Sequence, residues 1–99
     1  MGVYKQERDA ILKEFGLTLA RRRKKKGVSQ EAFGRIANVH RNEIGALERG
    51  ETEPGLLMLL ILSDATGASL EELAEGLPIP KERKPWPLAT REASGKDAQ

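Results

Sequence analysis

Arg41 and Asn42 stand side by side at the start of a short amphipathic stretch. Both carry planar, forked hydrogen-bonding groups. Arginine can donate to guanine O6 and N7 together, and asparagine can bond adenine N6 and N7 in the same two-point fashion. Each such pair discriminates against a wrong base by about 1–3 kcal/mol. One turn further on, Ala46 offers only a methyl group, suited to the methyl of thymine. His40 and Arg49 flank these positions and are candidates for phosphate contact. His40 is the single histidine and there is no cysteine, so a histidine–thiolate metal site has no ligand set. Neither a nucleophile–base pair nor a phosphate-cradling glycine loop appears, which argues against an enzyme.

The charge distribution fits a polyanion partner. The net charge is only +2, but it is segregated. Residues 20–50 carry nine basic side chains against three acidic ones, whereas residues 51–77 carry six acidic and no basic ones. A +6 segment followed by a −6 segment implies one face for an anion and another for something else. The basic run Arg21–Lys26 wraps a whole helix, so only some members can face a phosphate; Arg22 is the candidate.

Five helices are expected to position these groups. Tyr4–Lys26 reads as the first, with Ile11, Leu12, Phe15 and Leu19 facing inward and Gly16 marking a kink or close contact. Ser29 caps a second helix to Ala37, with Gly34 small at the crossing. Asn38 tolerates the left-handed turn. His40 caps a third helix to Arg49, with Glu43 as half of a capping box. Its inner side is Ile44 and Leu47; its outer side is His40, Arg41, Asn42, Gly45, Ala46 and Arg49. Pro54 opens a fourth helix to Thr66, whose inward stripe is Leu56, Leu59, Leu62 and Ala65. Ser69 and Glu72 form a capping box for a fifth, Leu70 to Glu75.

Two short helices joined by a tight turn make a helix-turn-helix. The run Ser29-Gln30-Glu31-Ala32-Phe33, then Val39-His40-Arg41, Ile44, Leu47-Glu48-Arg49-Gly50 and Pro54 resembles the Cro/phage-repressor helix-turn-helix family, also called the XRE family. Gly34 and Asn38 depart from that family's usual alanine and glycine but keep the size and the dihedral. The resemblance spans Phe15 to Leu77. It implies an all-α, five-helix, lambda-repressor-like DNA-binding domain. It also implies that Gln30 contacts a phosphate, that Arg41, Asn42 and Ala46 read bases, and that Arg23 and Glu48 form a structural ion pair.

Two regions fall outside that reading head. Leu57, Met58 and Ile61 lie off the inward stripe of the fourth helix and are expected to form a dimer or partner surface. Four of the chain's five prolines and its single tryptophan, Trp86, fall in residues 78–99, so an extended or disordered arm is expected. The domain is then 1–77 and the tail 78–99. With no cofactor implied, the expected function is a cytoplasmic, homodimeric transcriptional repressor on palindromic double-stranded DNA. The alternative is an antitoxin or another protein-interaction module on the same scaffold. The longest apolar run, Leu56–Leu62, is too short to cross a membrane.

Overall fold

The structure, a computed structural model, describes residues 2–81, with side chains from residue 5. The described residues form five α-helices and no strand: α1 (Gly2–Lys26), α2 (Gln30–Ala37), α3 (Arg41–Glu48), α4 (Leu56–Thr66) and α5 (Leu70–Leu73). Pro78–Pro80 carry no regular structure. The rest of the expected arm, Trp86 included, lies outside the described residues.

α1 buries Leu12, Phe15 and Leu19, while Ile11 is half-buried. Gly16 lies within this buried stripe because α3 ends directly against it. A Cβ there would fall 2.6 Å from the Leu47 carbonyl oxygen and closer still to that of Glu48. The glycine is therefore a packing requirement, and its helix-propensity cost of about 1 kcal/mol is offset by the close α1–α3 approach.

The Ser29 hydroxyl accepts from the Ala32 N–H at 3.0 Å and starts α2. Asn38 ends it at φ 60°, ψ 44°, a left-handed residue that reverses the chain. At Gly34 a Cβ would stand 2.5 Å from the Val39 carbonyl oxygen, so the turn folds back onto bare backbone. His40 Nδ1 then accepts from the Asn42 N–H at 2.9 Å, and the ring itself supplies the cap of α3.

α4 departs from expectation at its start. Gly55, extended at φ −83° and ψ −179°, is the N-cap, so Pro54 precedes the helix instead of opening its first turn. Leu62 and Ala65 are buried, and Met58 and Leu59 pack partly buried against the core. Leu56 is 65% exposed and leaves the expected inward stripe. α5 is a single turn, shorter than expected. Its capping box is complete: Ser69 Oγ accepts from the Glu72 N–H, and Glu72 Oε1 accepts from the Ser69 N–H at 2.8 Å. The Ser69 N–H and, next, the Arg22 charge hold the Glu72 carboxyl below its ordinary pKa.

All five helices converge on one core. Phe33, Leu19, Ile44, Leu47, Leu62 and Leu73 are its largest fully buried side chains. Both helices of the helix-turn-helix contribute, through Phe33 and through Ile44 and Leu47, so the outer side of α3 is fixed by what its inner side buries.

Candidate nucleic-acid interface

The floor of the site is a buried ion pair. Arg23, from the basic end of α1, and Glu48, from the last turn of α3, have side chains only 10% and 6% exposed. Arg23 Nε donates to Glu48 Oε2 at 2.7 Å, Nη2 donates to Oε1 at 3.1 Å, and Nη1 donates to the Val28 carbonyl at 2.8 Å. Every nitrogen of the guanidinium is thus used, which is what allows a charge to be buried. The pair ties α1 to α3 and to the turn before α2.

Gln30 extends this network toward solvent. Its amide nitrogen donates to Glu48 Oε1 at 2.9 Å. One amide hydrogen is therefore committed and the orientation of the side chain is set, while the second hydrogen has no part in that bond. Beneath Gln30 lies Gly45, which is buried, contrary to the outward position expected for it. A Cβ on Gly45 would meet Arg49 Nη1 at 3.0 Å and Gln30 Oε1 at 3.5 Å. This glycine lets the two polar side chains close over α3.

Arg49 is held from the other side. Its Nε and Nη2 donate to the two carboxylate oxygens of Glu51 at 2.8 and 3.0 Å. That exposed fork raises the pKa of Arg49 and lowers that of Glu51. Sequence reasoning missed Glu51, since a partner two residues away across a turn leaves no periodic signal. The second overlooked acid, Glu31, is legible as an i,i+4 partner of Arg35, at 3.5 Å. Its other carboxylate oxygen stands 3.8 Å from Arg41 Nη1.

Arg41 and Asn42 are exposed at the first turn of α3. An open cleft of about 590 Å³ brings them together with Gln30, Arg49 and Ser29. His40 and Arg41 also border an adjoining cleft beside Arg35. Ala46 is half-buried on α3. Arg22 is not part of this group. It lies in a different groove, between α1 and α5, among Thr18, Glu72 and Glu75. Of the expected apolar surface, Leu57 and Ile61 are exposed at 75% and 38%, whereas Met58 turns toward the core. The exposed surface is completed by Leu56 and Leu60 instead.

A short capped helix that presents Arg and Asn from its first turn, pinned across a tight turn to a second helix, defines a helix-turn-helix DNA-binding protein. The helix-turn-helix family profile matches residues 19–73. The fold is similar to a crystal structure of the restriction-modification controller protein C.AhdI from Aeromonas hydrophila, at 34% identity and a TM-score of 0.62. That match covers 65% of this chain and 93% of the controller protein. Curated proteins yield no significant match. The chain belongs to the XRE-type helix-turn-helix family of DNA-binding transcriptional regulators. No helix among the described residues is long and apolar enough to cross a membrane.

Proposed function

We propose that this protein is a sequence-specific repressor of the restriction-modification controller type, acting in the cytoplasm as a homodimer on a palindromic operator. The observation that carries the reading is the cleft that gathers Gln30, Arg41, Asn42 and Arg49 over a buried ion pair. α3 enters the major groove with its first turn foremost. Arg41 and Asn42 read base edges, and Ala46 contributes a methyl contact. Gln30 gives its second amide hydrogen to a phosphate, and the His40 ring edge faces the same backbone. Arg49 exchanges Glu51 for a phosphate. Arg22, in a separate groove with Glu72, is left out of the contact. Arg23 and Glu48 touch no DNA and fix the cradle.

Two strong reading side chains per subunit give narrow discrimination, so a second half-site is required for a specific address. The exposed surface formed by Leu56, Leu57, Leu60 and Ile61 supports pairing of two copies through α4. It serves equally as the partner surface of an antitoxin, and Arg41 and Asn42 favour the DNA reading over an interaction module without DNA. Selection from random duplex DNA tests the proposal. The expected product is an imperfect palindrome with half-sites about 34 Å apart. An asymmetric consensus overturns the dimer, and no enrichment overturns sequence-specific binding.

A further inference from the structure

A second concavity lies away from the DNA-facing cleft, between α1, α4 and α5. Its volume is about 280 Å³, and Ile11, Leu12, Phe15, Leu59, Leu73 and Leu77 line it. This is below the roughly 300–1,000 Å³ typical of small-molecule sites and suits one bulky apolar side chain. Phe15 and Leu73 are themselves buried at 5% and 1% exposure, so the groove opens directly onto the core.

We propose that the segment Pro85-Trp86-Pro87 of the same chain fills this groove, with the Trp86 indole against Phe15 and Leu73. The chain leaves the described residues at Lys81, only four positions after Leu77, which is part of the groove wall. Eight residues separate Leu77 from Trp86, nine chain steps in all. They span at most about 30 Å, enough to run outward and return. A tether this short holds the indole at an effective concentration of about millimolar, which an unassociated second copy in dilute solution does not match.

Charge supports the same occupant. Lys81, Arg83 and Lys84 precede Trp86, with Glu82 the one acid among them. The groove adjoins an acidic cleft formed by Glu71, Glu72 and Glu75, and Ala74 borders both. Glu72 and Glu75 also line the groove of the α1 basic run, so Glu71 is the acid of this rim left to the tail, and the charge match is secondary to the tether. Pro85 and Pro87 fix φ on either side of the tryptophan, so less chain freedom is lost on docking. The tryptophan then closes the exposed side of the core without using the α4 surface.

Trp86 is the sole tryptophan, so its emission reports its environment in the full chain without labels. The expected result is a blue-shifted maximum and a several-fold lower acrylamide quenching constant in the native protein than in denaturant. Both should be independent of protein concentration. Leu70, on the groove rim and 38% exposed, provides the disrupting variant. Leu70→Gln should move the emission toward the red while the helical circular dichroism is unchanged. Native emission equal to that in denaturant overturns the proposal. So does a blue shift lost on dilution, which assigns the groove to a second copy's tryptophan. A blue shift that survives in a folded Leu70→Gln chain also overturns it, since the indole then rests elsewhere. Should Leu70→Gln unfold, Ile11→Gln replaces it with the same expectations.

Discussion

α3 and α4 use the same physics on their inner sides and opposite chemistry on their outer ones. Each buries a short apolar stripe, Ile44 and Leu47 in α3 and Leu62 and Ala65 in α4. Beyond that stripe α3 presents Arg41 and Asn42, while α4 presents Leu56, Leu57, Leu60 and Ile61. Folding needs neither outer side. A polar outer side costs nothing in water, but four exposed aliphatic side chains leave apolar area unburied that a second surface can cover. The lesson is that function is written in what packing leaves over. In the function proposed above, the polar remainder of α3 answers to DNA and the apolar remainder of α4 to protein.

The comparison breaks first at the ion pair beneath α3. Glu48→Ala strands Arg23 in a site where its side chain is 10% exposed. The expected loss is about 3–5 kcal/mol of stability, visible as a lower denaturation midpoint. A loss below about 1 kcal/mol would make the pair an ordinary surface contact.

Arg41→Ala and Asn42→Ala come next, at about 1–3 kcal/mol of base discrimination each. Binding competition between operator and random DNA should show the preference gone, with weak, salt-dependent binding retained. Melting should hardly move, because both side chains are exposed. Retained selectivity in the double variant places the reading function elsewhere.

Leu57→Glu with Ile61→Glu probes the other side. Stability of the fold should change by less than about 0.5 kcal/mol, and light scattering should report monomers. An unchanged dimer mass removes α4 from the interface.

The smallest effect is expected at Glu72. Its folded pKa lies below its ordinary value of 4.5. The stabilisation is therefore present above that ordinary value and is lost as pH falls through the lower, folded one. Melting curves of the parent and Glu72→Gln should differ near neutrality and converge in acid. Parallel curves would deny the carboxylate its role in the Ser69 capping box.

Most of the fold was legible because its signals are local. Ser29, Asn38, His40 and Ser69 act on backbone groups within three residues, so their spacing alone predicts where α2, α3 and α5 start or turn. Gly55 competed with Pro54 for the start of α4, and no local rule separates a glycine N-cap from a proline first turn. The exposed placement of Arg41 and Asn42 was legible for the same reason, since both follow directly from the cap at His40. Glu51 was not, because its value comes from the path of the chain after α3.

By itself the sequence determined five helices, the tight turn at Asn38, the charge split between the two halves, and the two-point bonding capacity of Arg41 and Asn42. These depend on residue type and on neighbours a few positions away. The tertiary structure alone decided that Gly16 and Gly45 are contact points, that Arg22 lines a groove with Glu72 and not the cleft of Gln30, and that Met58 leaves the α4 surface for the core. Those outcomes depend on how helices distant in sequence rotate about their axes as they pack, and a rotation is settled only when every element meets the common core.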